Sequence, residues 1–111
     1  MSEREEIAAA ANTVAGISCA THYRQSTKAG DAMVRLDRTD YPDPFGGLRT
    51  WQVVVTLSQD IATAEAWIDD HQEQLVAALG EAMAVRRAFP AELALDTGKV
   101  PALFIEGQRE E

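Results

Sequence analysis

Asp69, Asp70 and His71 are where carboxylates adjoin an imidazole in this 111-residue chain, a combination that general acid–base chemistry uses. Their spacing works against that role. Successive helical positions point about 100° apart, so the three side chains cannot converge on one substrate. His71 falls at the edge of an apolar arc, four residues after Trp67, and reads as a packed or half-exposed histidine. His22 stands beside Tyr23 on an expected strand, and no Ser, Cys or Asp is placed to build a triad with it. Cys19 lies within an apolar stretch, where a lone thiol packs as a small hydrophobe. His22, His71 and Cys19 fall on three separate elements, and no pair has metal-ligand spacing. Neither G-x-G-x-x-G nor G-x-x-x-x-G-K-[ST] occurs among the seven glycines, so no phosphate cradle is signalled. The sequence reads as a non-enzyme without metal or cofactor.

Composition narrows the class further. The chain has 18 acidic against 10 basic residues and a formal charge of −8. That balance opposes polyanion binding, which needs clustered Lys and Arg. No apolar run approaches the roughly 20 residues that span a bilayer, and Met-Ser-Glu-Arg-Glu-Glu is too acidic for a signal or transit peptide. A single cysteine suits a reducing cytoplasm. The length suits one domain, residues 1–111, with one modest core.

The elements follow from caps and periodicity. Ser2 and Glu5 form a capping box for a helix running to about Val14, with Ile7, Ala8, Ala11 and Val14 as its apolar stripe and Gly16 as its stop. Ile17 to Tyr23 is β-like, and Lys28 to Asp31 is a turn. From Ala32 to Tyr41, Ala32, Val34 and Leu36 alternate with Met33, Arg35 and Asp37, the period of a half-buried strand. Leu48 to Leu57 places Trp51, Val53, Val55 and Leu57 on one face and Gln52, Val54 and Thr56 on the other. Between them, two prolines and two glycines make Tyr41 to Gly47 a connecting loop, so residues 32–57 read as a hairpin with a broad tip. Asp60 caps a helix from Ile61 to about Met83 that Gly80 could end early. Its apolar arc is Ile61, Ala64, Trp67, Ile68, Leu75, Val76 and Leu79. A hairpin closes the chain: Val85 to Leu95, a turn at Asp96 to Lys99, and Val100 to Gly107. The acidic runs Glu3 to Glu6 and Glu106 to Glu111 read as mobile ends. The class is α+β, two helices on a mostly antiparallel sheet in the order α-β-β-β-α-β-β.

Two features point to surfaces rather than chemistry. Between Asp60 and Glu81 there are six acids and no Lys or Arg, including Glu65, Asp69, Asp70 and Glu73. The i,i+4 pairs Glu65–Asp69 and Asp69–Glu73 each cost an isolated helix about 0.2–0.5 kcal/mol. This face is either simply solvated, or it repels DNA, or it meets a basic neighbour such as Arg86 and Arg87 of another subunit. The stretch Tyr41-Pro42-Asp43-Pro44-Phe45-Gly46-Gly47, with Arg49 beside it and Trp51 near, is either a plain turn or a contact surface of the aromatic and Arg-bearing kind.

The stretch Gly30 to Leu36, then Tyr41 to Gly47, then Thr50 to Leu57, resembles small tail proteins of long-tailed bacteriophages that infect actinobacteria. So do Ala64 to Asp69 and the closing Val100 to Gly107. The chain resembles the tail terminator family across residues 5–109, by pattern and element order. That resemblance implies a virion protein of the tail neck, assembled in the host cytoplasm, whose subunits close into a ring, most simply a hexamer. Such a ring caps the head-proximal end of the tail tube, stops polymerisation of the major tail tube protein and mediates joining to the head connector or stopper. DNA would pass through without specific binding, helped by acidic walls, and no membrane is involved. Tyr41, Pro42, Phe45 and Arg49 are the implied docking positions, and Glu65, Asp69, Asp70 and Glu73 a lumen or subunit face. Free sheet edges offer one route to ring closure. Another neck component, a stopper or adaptor, fits the same pattern, and a small ferredoxin-like enzyme or ligand-binding domain is the more distant alternative.

Overall fold

The capping box forms as the sequence predicts: the Ser2 hydroxyl accepts from the Glu5 amide at 3.2 Å while the Glu5 carboxylate accepts from the Ser2 amide. In the computed structural model, which describes residues 2–44 and 46–110, it opens α1 (Glu3–Ala11). There follow β1 (Ser18–Ala20), β2 (Asp31–Asp43), β3 (Gly46–Thr56), α2 (Ile61–Leu79), β4 (Ala84–Leu95) and β5 (Gly98–Glu110). The strands make one five-stranded sheet in the order β1-β2-β3-β5-β4, antiparallel except for the β1–β2 pair. The fold is α+β, with both helices on one face and the expected element order.

Helix α1 stops at Ala11, three residues short of the expected Val14, because Asn12 is used otherwise. Its side-chain amide donates to the Cys19 carbonyl at 3.0 Å and accepts from the Cys19 amide at 2.8 Å, pinning β1 to the helix end. Asp60 caps α2 by accepting from the Thr63 amide. That helix ends at Leu79, so Met83 lies beyond it and tucks its thioether against Gly107, where a Cβ would have no room.

Alternation along β3 sorts the core. Trp51, Val53, Val55 and Leu57 join Ile7, Ala8 and Ala11 of α1, Ala64, Leu75 and Leu79 of α2, and Leu103 and Ile105 of β5 in one cluster. Full burial of each larger aliphatic there contributes about 1.5–3 kcal/mol. Val54 faces the other way, into a smaller cluster with Met33, Leu93, Val100, Ala102 and Phe104. No helix among the described residues covers that second face; residues 24–26 strap one end of it. Arg24 and Ser26 both hold the Asp31 carboxylate, at 2.8 and 2.6 Å, and Gln25 accepts from the Asp96 amide.

Two expectations are corrected. Tyr41 to Gly47 is not a broad loop: β2 runs through Tyr41 and Pro42 to Asp43, which pairs with Gly46. Pro42 is tolerated because it sits in a register shift between Asp40 and Asp43, where the ladder asks no N–H of it. The acidic ends are not free either: Glu3 to Glu6 form the first turn of α1, with Glu3 and Glu6 held by Arg49 and Arg109, and β5 continues through Glu110 alongside β3. Its polar side chains have partners: Glu106 with Arg87, Gln108 with Arg86, and Arg109 with Glu6. Among the residues assigned to apolar stripes, Leu36 is 43% and Ile61 63% exposed. Leu36 stands at a second register shift, before Arg38, and Ile61 is the first residue of its helix.

Gly30 has φ of +92°, and a Cβ there would run into the carbonyl oxygen of Gly16. Gly98, at φ +135°, has open space around it. Gly30→Ala should therefore cost the left-handed strain of about 1–2 kcal/mol plus a backbone displacement, and Gly98→Ala the strain alone. Urea unfolding of the two variants checks this; equal losses would mean that the Gly16–Gly30 contact yields freely.

Candidate interaction surface

Four strands of eleven to thirteen residues give the molecule its long axis of 46 Å. At one end the β2–β3 hairpin projects past the Leu48–Glu110 pair that ends the described ladder with β5. Tyr41 on this tip is 70% exposed and Pro42 is exposed with it. Phe45, the remaining aromatic expected there, lies outside the described residues. Arg49 is engaged on the helix side: its guanidinium pairs with the Glu3 carboxylate. Arg109 joins it, reaching Glu3 at 3.4 Å and Glu6 at 2.5 Å and donating to the Ala82 carbonyl. Arg4 donates to the Thr21 and Val34 carbonyls and lies over the Trp51 ring. Together these arginines clamp α1 to the sheet, so Arg49 serves the fold before it serves any partner.

The histidines and cysteine stay apart. His71 stacks on Trp67 with ring centroids 4.3 Å apart and donates through Nδ1 to the Trp67 carbonyl. His22 meets the Thr21 hydroxyl on the surface. Burial pushes the Cys19 thiol up to about 11, with Arg24 opposing, which leaves it protonated and unreactive at neutral pH. Among the described residues, no three His, Cys, Asp or Glu side chains come together as a metal site, and no helix is long and apolar enough to cross a membrane. One surface cleft is lined by Glu6, Ala10, Glu81, Ala82 and Arg109, and its Glu6–Arg109 pair belongs to the α1 clamp. Another lies where the strap meets the β4–β5 turn, beside Leu95 and Asp96.

Glu65, Asp69, Asp70 and Glu73 are all exposed on α2, whose buried side is Ala64, Leu75 and Leu79. On the opposite, helix-free face of the sheet lies a feature that sequence reasoning missed. Cross-strand register aligns Arg35, Gln52, Glu106 and Arg87 in one row, and Arg38, Thr50 and Gln108 in the next. A bulge between Val85 and Arg87 lets Arg86 share that face, where its Nε donates to Gln108 at 3.1 Å. Four of the ten basic residues are thus gathered on one side of an acidic chain. The signal was present in the alternation, which sets Arg35 opposite Val34 and Leu36, but the pairing of β4 with β5 had to be known to complete it.

Within the first row Glu106 is buried and accepts from Arg87 and from the Gln52 amide, both at 2.5 Å. Arg87 in turn covers the Phe89 ring, which stacks on Phe104. The Arg87 hydrogen bond holds the Glu106 carboxyl below its ordinary 4.5; burial opposes this, and Gln52 and the charges of Arg87 and Arg38 reinforce it.

The chain matches no protein-family model and no curated protein.

A carboxyl depressed in the folded state stabilises the fold above its unfolded value, and that contribution fades as pH falls through the folded one. Glu106→Gln should lower the urea midpoint at about pH 7, with the gap to wild type closing as pH drops below about 4.5. A gap of the same size at about pH 3 would show that ionised Glu106 is not what Arg87 holds.

Proposed function

We propose that the chain is a structural subunit of a phage tail, a tail terminator that closes the head-proximal end of the tube, stops its polymerisation and joins it to the head. The observation that carries this reading is the two-helix, five-stranded α+β fold in the order α-β-β-β-α-β-β, with a two-stranded tip projecting from one end. Such a subunit can present one end to a ring below and another to a ring above. Self-association into a ring, most simply of six, limits its own growth where an open stack would not. A stopper or adaptor of the same neck would need the same kind of subunit, and the phenotype separates them: loss of a terminator deregulates tail length, loss of a stopper leaves normal tails unjoined.

The tip is the docking element. Tyr41 and Pro42 are exposed there, the sequence supplies a second aromatic at Phe45, and a buried aromatic anchor at an interface is worth a few kcal/mol. Because Arg49 holds Glu3, Arg49→Ala should loosen α1 and is a poor probe of docking. Tyr41→Ala with Phe45→Ala removes an exposed aromatic and the one that follows it in the sequence, and should leave a folded protein. In lysates complemented with this double variant, electron micrographs should show tails of uncontrolled length or tails without heads. Normal lengths and normal infectivity would reduce the tip to a turn.

A further inference from the structure

The edges of the sheet are guarded. β1 covers the outer side of β2 only at residues 31–33, but Arg4 caps the Val34 carbonyl just beyond and the ladder is bulged after Leu36. At the opposite edge β4 carries a bulge at Arg86, two arginines and Pro90, which has no N–H to give. Bulges, charges and proline are the devices by which sheets avoid edge-to-edge growth. The faces, by contrast, are complementary. The acidic positions Glu65, Asp69 and Glu73 follow one another at four-residue spacing and so span about 12 Å along α2. The arginine rows cross from β2 to β4 over three strand spacings, about 14 Å, and lie about 7 Å apart along the strands.

The arginine face also holds unfinished hydrogen bonding. Gln52 and Thr50 are 6% and 5% exposed, yet the Gln52 Oε1 and the Thr50 Oγ1 are buried without a partner among the described residues. The Arg35 side chain, next to Gln52 in its row, has no hydrogen bond or ion pair among those residues either, whereas that of Arg38 is held by Asp40 and Asp37, Arg86 by Gln108 and Arg87 by Glu106. Buried polar groups left unpaired mark a place where a partner completes the network. The two charged patches lie on opposite sides of one subunit, so joining them is head-to-tail and can close a ring.

We infer that the acidic face of α2 in one copy docks on the arginine-bearing, helix-free sheet face of the next, around Arg35, Arg38, Gln52 and Thr50. This rests on the reading of the chain as a self-assembling ring subunit, and it assigns the acidic quartet to the subunit interface rather than to the lumen. The test uses two full-length charge-reversed chains, Asp69→Lys with Glu73→Lys, and Arg35→Glu with Arg38→Glu. All four positions are half-exposed or exposed and leave the core untouched. Each reversed chain alone sets like charges face to face and should associate at least about tenfold more weakly than wild type. Mixed in equal amounts they restore every opposite-sign contact, but only by alternating, so native mass spectrometry should show even-numbered assemblies with equal content of both. Wild-type-like assembly of either reversed chain alone would overturn the inference, return the acidic face to the lumen or to solvent, and leave the ring reading standing. Alternating assemblies that grow as open filaments would keep the inference and overturn the ring. A wild-type chain that stays monomeric with and without purified tail tubes overturns both.

Discussion

Burial of β3 and β5 on both faces is the constraint from which the rest of the molecule follows. Val53, Val54 and Val55 are successive residues pointing to opposite sides, and all three are buried, as are Leu103, Phe104 and Ile105 beside them. Two helices cover only one side. The other side must be closed without a third helix, and it is closed by three modest devices: the strap at residues 24–26, the Phe89–Phe104 stack, and the Arg87–Glu106–Gln52 network. Buried polar rows of this kind are costly unless satisfied, and Gln52 and Thr50 are not fully satisfied.

The helix side solves a different problem with the same residue type. α1 buries only Ile7, Ala8 and Ala11, too little apolar surface to hold a nine-residue helix by itself. Arg49, Arg109 and Arg4 supply the remainder by gripping Glu3 and Glu6 and by spanning to the Val34 carbonyl and the Trp51 ring. The acids near the start of α1 therefore act twice, as favourable charges at a helix N-terminus and as ligands for the arginines of β3 and β5.

Most of the fold was legible because its signals are local. The Ser2–Glu5 box, the Asp60 cap and the alternation through Trp51 to Leu57 each depend on residues within a few positions of one another. What misled was punctuation read without its partner strand. Pro42 signals a loop only if its N–H is needed, and a register shift removes the need. Glu106 to Glu111 reads as a mobile end only until Gln52, Arg87, Arg86, Glu3 and Glu6 are brought to its described residues by the packing of the sheet and α1. Of the positions assigned to a contact surface, Tyr41 and Pro42 stand exposed on the tip and the α2 acids stand exposed together. Arg49 lies among the groups that hold α1, which no spacing along the chain could reveal.

Net charge was the most misleading guide to surface character. A value of −8 suggests a molecule that repels anions everywhere, but charge in a folded chain is a matter of where, not only how much. Here the acids of α2 stand on one side with no base among them, and the sheet brings four arginines from β2 and β4, more than forty residues apart in sequence, to the other. The polarity of the molecule is thus made by topology: β5 inserts between β3 and β4, and in doing so it sets Glu106 and Gln108 as the polar bridge between arginines that the chain keeps far apart. Charge divided in this way makes any electrostatic contact directional, like faces repelling and unlike faces attracting, and that directionality is what the proposed head-to-tail docking draws on.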